Sequence, residues 1–466
     1  MGEVLKTGVR EPGFGDRPER LLIAGGTVWT EEGPSRGDVL VEGERIAAVG
    51  GLAAATGDVR AIDVSGCDVL PGCIDVHVHV DDRIGRFDLA DDLASGTEIA
   101  VRTGITSFFT FVTQRGGETL TQAVERVETR VRRTSRCDVG LHLTPTGWPW
   151  NWDEVAALVE RGHRTFKLYT TYRDAGLYSD YGRLEEVMRR LVPMGARLLV
   201  HCEDDACLAA VDPAGVDLCA AQSHTRLRPE KAEITAIERV VELSGRTGCP
   251  VHVVHVSTDA GLELIDRARA HAPVTCETCP QYVLLDDAVL AAPDGHRWLC
   301  TPPLRPPATR ARLEAAVAAS AFELFATDHC PFARTDKDVG GRDIRTVPNG
   351  LPGLGALVPL LHDLLVRRHG LPLTELARRL AANPAHLTGT YPRKGTLRPG
   401  SDADLVVLDT DGPPRPIHST LADCHDPWAG RTTRLSARLV LLRGEIVVRN
   451  GETLAGRAHG GKLLLA

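Results

Sequence analysis

The sequence predicts an α/β fold, a (β/α)8 TIM barrel with a small β-sandwich domain built from both chain ends. Eight short apolar strands alternate with helical stretches through the middle of the chain, and both ends read as β-rich. Metal-binding side chains recur at the far ends of the apolar strands, where a barrel carries its chemistry.

Residues 1–19 carry no hydrophobic pattern and are expected to form a disordered extension without an apolar signal region. Lys6 stands where a myristoylation signal needs Ser or Thr. Residues 20–70 form the first part of the sandwich, because LLIAGGTVW, DVLVEG and ERIAAVG are short strands broken by turn residues. Residues 71–390 are the barrel. Its strands are CIDVHVHV (73–80), ITSFFTFV (105–112), DVGLHLTP (138–145), RTFKLYTT (164–171), RLLVHCED (197–204), VHVVHVST (251–258), VTCETCPQ (274–281) and FELFATDH (322–329). Helices fall between them, such as NWDEVAALVERG with Asn151 as its cap, and a long one over RPEKAEITAIERVVELSGRTG that closes on glycine. Residues 391–466 complete the sandwich with DADLVVLD, ARLVLLRG and EIVVRNG, and end in a tail.

Composition excludes several classes. A net charge of -8 and 5% aromatic residues leave no basic or stacking surface for nucleic acid. No apolar run reaches membrane-span length, so no membrane partner is expected. The 12 cysteines run from Cys67 to Cys424 without the dense spacing of a disulfide scaffold, which points to a reduced, cytoplasmic protein. Cys276 and Cys279 make a lone C-x-x-C without a redox context, and packing explains them. Gly456 to Lys462 spells G-x-x-x-x-G-K, but Leu463 replaces the Ser or Thr of a phosphate loop and no helix can follow.

The chemistry begins at His77 and His79. Residues two apart on a strand point the same way, so two imidazoles reach one point from an apolar strand. Lys167, His201, His255 and Asp328 interrupt later strands near the same end, and barrel closure brings all six groups to one cavity. Four histidines and an aspartate suit Zn²⁺ or another borderline divalent ion. Lys167 is informative because only six of the 54 basic residues are lysine, yet one sits inside an apolar strand. Burial lowers an amine's pKa, and a neutral amine can add CO₂ to give a carbamate that bridges two cations. His252 lies three residues before His255, so it is expected on the opposite face, in a packing role. His142 reads equally as a cavity or a structural residue.

The motifs PGCIDVHVH (71–79), FKLYTTY (166–172), VHCED (200–204), VHVVHVS (251–257), ETCPQY (277–282), TPPLR (301–305), TDHCPF (327–332), PNG (348–350) and YPRKGTLRPGSDADLVV (391–407) occur in this order. In them the chain resembles the cyclic amidohydrolases, most closely the hydantoinase and dihydropyrimidinase branch. The resemblance implies two divalent ions: His77, His79 and Asp328 on one, His201 and His255 on the other, with carboxylated Lys167 and a hydroxide between them. It implies hydrolysis of a cyclic amide, such as a hydantoin, dihydropyrimidine or related imide, and a homo-oligomer, tetramer or dimer. Tyr172 matches the oxyanion donor, and Thr301 and Asn349 match positions whose main chain holds the ring. Asp328 is expected to pass the proton from the attacking hydroxide to the leaving nitrogen.

The chain departs from the family after His79, where Asp81-Asp82-Arg83-Ile84-Gly85-Arg86 replaces an apolar stretch. Arg83 is therefore expected to meet a polar or charged ring substituent. Tyr169 and Gly176, at gate positions, suggest a wider and wetter pocket. A dihydroorotase-like enzyme would place arginine where Asp81 stands, and an allantoinase-like one would place histidine at Gln281. Non-catalytic scaffold relatives lack ligands that this chain keeps.

Overall fold

The computed structural model describes residues 19–52, 59–338, 343–454 and 460–466. The expected disordered extension at 1–19 lies, apart from Glu19, outside the described residues. All eight expected barrel strands form, in chain order around one parallel sheet: β1 (Cys73–Val78), β2 (Ile105–Thr113), β3 (Asp138–Thr144), β4 (Thr165–Tyr169), β5 (Arg197–His201), β6 (Val251–Val253), β7 (Val274–Thr278) and β8 (Leu324–Phe325). A parallel bridge between Val78 and His329 closes β8 onto β1, and the His79 amide donates to the His329 carbonyl at 2.7 Å. Every residue of β1 is buried, because helices cover the outside while side chains fill the inside. The helix at Trp152–Glu160 starts on Asn151, whose side chain accepts from the Glu154 amide, and the long helix Glu230–Thr247 ends on left-handed Gly248.

Several barrel strands are shorter than the sequence suggested. β6 stops at Val253 and β8 at Phe325, because His255 (φ 41°) and Asp328 (φ 49°) take left-handed backbone that cannot continue a ladder. The chain leaves the sheet there, and both side chains line the cavity at the barrel mouth.

Both chain ends meet in a second sheet. Leu405–Asp409 pairs antiparallel with Asp68–Pro71, which in turn pairs with Arg20–Thr30, so one nine-stranded sheet contains strands from both ends. A bridge from Arg45 to Asp402 folds this sheet back around a core including Leu21, Val39, Val41, Leu405, Val407 and Leu439. The tail returns to the barrel instead: Leu463–Leu464 pairs with Val139 and Gly140 of β3. Lys462, the last residue of the G-x-x-x-x-G-K match, donates its amide to Asp138 and pairs with Glu44, a structural role. The 12 cysteines are free, with Cys276 and Cys279 both buried.

Candidate metal centre and active site

Asp75 sets the ligand strands in register. Its buried carboxylate accepts from the His77 amide at 3.1 Å and from the Thr327 amide and hydroxyl at 3.2 and 2.6 Å, tying β1 to the turn that carries Asp328. Burial pushes the Asp75 carboxyl up to about 6. With that staple in place, Asp328 Oδ1 lies 3.1 Å from His77 Nε2 and 3.4 Å from His79 Nε2. Across the cavity, His201 Nδ1 is 3.0 Å from His255 Nε2. Two ligands at roughly 2.05 Å from one tetrahedral ion lie about 3.3 Å apart. Both clusters fit a divalent ion.

The imidazoles are aimed by carboxylates behind them. Glu277 Oε1 sits 2.5 Å from His77 Nδ1, so that nitrogen carries the proton and Nε2 faces Asp328 with its lone pair. Glu203 Oε2 takes His201 Nε2 at 2.8 Å, leaving Nδ1 to face His255. Burial alone would raise both carboxyls, but their imidazoles, and for Glu203 the guanidinium of Arg228, hold them well below the ordinary range. Sequence reasoning assigned neither glutamate. A signal existed for each: Glu203 shares a face with His201 two residues earlier, and Glu277 is an acid inside an apolar strand.

Lys167 is buried between these clusters, with no ion pair among the described residues. Its nitrogen lies 5.1 Å from the ring centres of Phe111 and of Tyr169. Burial pulls the amine down to about 8.

All ten predicted residues line one cavity of about 1180 Å³: His77, His79, Lys167, Tyr172, His201, His255, Asp328, Thr301, Asn349 and Arg83. The volume exceeds the roughly 300–1,000 Å³ usual for small-ligand sites, because the cavity runs from the buried histidines out to the rim hairpin at Arg83–Asp88. Tyr172 has left-handed backbone (φ 67°), and its ring packs 5.1 Å from that of His201. Among the described residues, the buried Asn349 Oδ1 has no hydrogen-bond partner. The loops of Thr301 and Asn349 are joined through the Leu299 carbonyl, which accepts from the Gly350 amide at 2.9 Å and from buried Lys337 Nζ at 2.8 Å.

Arg83 sits at the rim rather than deep in the cavity. It lies on a small hairpin, Arg83–Ile84 against Phe87–Asp88, with its side chain 58% exposed and 3.8 Å from Asp88. Asp81 and Asp82 are engaged by Arg130 and Arg115.

The expectation for His252 needs correcting. It does not face away: its Nε2 contacts Glu277 Oε2 at 3.1 Å and its Nδ1 Thr275 Oγ1 at 2.8 Å, in the same interior cluster as His77. Strand alternation failed because β6 ends at Val253 and left-handed His255 rotates back inward. His142 is structural. It bridges Val76 O at 2.8 Å and Thr165 Oγ1 at 2.7 Å, and burial holds its imidazole neutral, near 3.

The amidohydrolase family model matches residues 69–447. A D-phenylhydantoinase of Escherichia coli (strain SE11) is 33% identical over 457 residues, covering 96% of this chain and 98% of its own length. A D-hydantoinase of Streptomyces coelicolor is 32% identical over 471 residues, covering 95% and 97%. The crystal structure of dihydropyrimidinase from Brevibacillus agri NCHU1002 superposes with a TM-score of 0.89 at 31% identity, over 96% of this chain and 98% of that one. The L-hydantoinase of Arthrobacter aurescens gives 0.84 at 26% identity, over 96% and 99%. Two imidazole–carboxylate clusters at a barrel mouth and full-length likeness to these enzymes lead to one conclusion: the chain belongs to the amidohydrolase family, among its hydantoinases and dihydropyrimidinases.

Proposed function

We propose that this enzyme opens a cyclic amide ring, a hydantoin, dihydropyrimidine or related imide, to the N-carbamoyl or amide acid. The observation that carries this reading is the pairing of two ligand clusters, His77–His79–Asp328 and His201–His255, across the buried amine of Lys167. His77, His79 and Asp328 would hold one divalent ion, and His201 and His255 the other. Zn²⁺ suits these donors best; bound there, the ions would polarise the ring carbonyl and make water at the site more acidic. Lys167 would join the two as a carbamate, its neutral amine bonding to the carbon of CO₂ with loss of one proton.

The chain's own groups then carry the hydrolysis. Asp328 accepts the proton of the attacking water as the new C–O bond forms, and delivers it to the ring nitrogen as the C–N bond breaks. Tyr172 donates its hydroxyl to the carbonyl oxygen as that oxygen gains charge. The main chain at Thr301 and Asn349 orients the ring, and the Asn349 side-chain oxygen, unpartnered among the described residues, is available to it.

The rim favours a polar ring substituent, because Arg83, Arg86 and Arg115 line the cavity mouth with the aspartates 81 and 82. Twelve free thiols support a cytoplasmic setting, and the family likeness supports a dimer or tetramer. The test is metal analysis together with a hydrolysis screen of dihydrouracil, hydantoin, apolar and acidic 5-substituted hydantoins, dihydroorotate, allantoin and simple cyclic imides. Metal-loaded protein that opens none of these rings would overturn the reading. Preference for apolar over acidic substituents would remove Arg83 from it.

A further inference from the structure

Arg228 closes the short helix Ser223–Leu227, directly before Pro229 and the long helix Glu230–Thr247. It does not line the cavity, yet it touches Tyr172, which does, and Glu203, which holds the cavity residue His201. On one side its guanidinium grips the fully buried Glu203 as a fork, with Nε 3.0 Å from Oε1 and Nη2 2.5 Å from Oε2. That same Oε2 holds His201 Nε2. On the other side the guanidinium carbon lies 5.3 Å from the ring centre of Tyr172. The backbone is pinned as well: the Arg228 carbonyl accepts from Arg305 Nη1 at 2.9 Å, and Arg305 is bound to Glu233 and Ser257.

We propose that Arg228 is a positioning residue for both halves of the reaction, aiming the His201 ligand through Glu203 and seating the Tyr172 ring over the substrate carbonyl. A carboxylate buried without a partner is costly, so Glu203 needs a cation to stay ionised and hold the His201 proton on Nε2. Only a planar cation can fork onto that carboxylate while presenting a flat face to an aromatic ring, a pairing lysine does not reproduce. The positive charge above the ring also strengthens the phenol as a donor when charge builds on the substrate oxygen.

The inference rests on His201 being a ligand, so the experiment includes His201→Ala beside Arg228→Lys and Arg228→Gln in the full-length protein. Stripped protein is titrated with Co²⁺, reading the two binding steps by absorbance, and loaded protein is assayed for kcat and KM. Arg228→Lys should weaken one of the two Co²⁺ steps by about 10- to 100-fold, the range for removing an orienting partner, and leave the other unchanged. Its kcat should fall about 10-fold further than metal loss explains, with KM within about 2-fold, and this extra loss should vanish in a Tyr172→Phe background. If His201→Ala weakens a Co²⁺ step and neither Arg228 variant does, the inference falls while the proposed centre stands. If His201→Ala leaves both steps unchanged, the proposed centre falls with it. Should Arg228→Gln fold poorly, Arg228→Lys decides; a lowered melting temperature with wild-type Co²⁺ affinities and kcat would make Arg228 merely structural.

Discussion

Replacing Glu277 with Gln isolates the charge behind the proposed metal site at His77. Glu277 is fully buried and its oxygens serve two imidazoles, His77 at 2.5 Å and His252 at 3.1 Å. A glutamine keeps the shape. Its oxygen can still accept from His77 Nδ1, and its NH₂ can donate to His252 Nε2 if that ring shifts its proton to Nδ1. Thr275 Oγ1, 2.8 Å from His252 Nδ1, is a hydroxyl able to accept that proton. Both contacts therefore survive, and what is lost is the negative charge that makes His77 a stronger ligand. The expected result is a 10- to 100-fold weaker affinity at the His77 site, with little change in the stability of the metal-free protein. Glu277→Leu, by contrast, leaves two buried ring nitrogens unpaired and should cost roughly 2 to 6 kcal/mol, at 1 to 3 per group. Competitive Zn²⁺ titration and urea denaturation of stripped protein read the two effects separately. A Gln variant with wild-type affinity at both sites would refute the orienting role of Glu277.

Lys167→Ala should lose at least one metal per subunit, with partial recovery of activity in short carboxylic acids; full occupancy by elemental analysis would dismiss the carbamate. Tyr172→Phe should lower kcat by about 10² to 10³, as for loss of one oxyanion donor, whereas an unchanged kcat would make it a rim aromatic. Lys337 has its amine pulled from 10.5 to about 8 by burial, among the thiols of Cys300, Cys330 and Cys424. Between those values the unfolded chain binds the extra proton, so wild-type stability should rise relative to Lys337→Met from pH 8 to 10.5, by about 3 kcal/mol. A pH-independent difference in urea denaturation would contradict it.

What the sequence made legible and what it hid have a common physical origin. The barrel was readable because strands covered on both faces are short apolar runs, and each polar residue inside one stands out: His77, Lys167, His201 and Asp328 were found that way. That the two β-rich chain ends share one domain was readable too, but its register, such as Val406 opposite Leu70 across more than 300 residues, is visible only in the fold. The partners of the positioning groups were hidden for the same reason. Glu277 matters through His77, 200 residues away, and Arg228 through Glu203 and Tyr172, and nothing local marks either partnership.

The failure over His252 is instructive in the same way. Period-two alternation assumes an unbroken strand, and it misplaces residues where the backbone turns left-handed. Such turns fall at His255, Asp328 and Tyr172, three of the seven described non-glycine residues with positive φ. Each such conformation costs on the order of 1–3 kcal/mol and persists only where its surroundings over-determine it. Here those surroundings are visible: the Asp75–Thr327 staple beneath Asp328, the Glu203–Arg228 fork beside Tyr172, and the His201 ring against His255. The local rules break where these side chains are turned into one cavity, and the buried ion pairs and hydrogen bonds around them hold that arrangement in place. At these three residues the strain and its supports coincide with the cavity, whereas Ser320, Arg443 and Asn450 take the same conformation away from it.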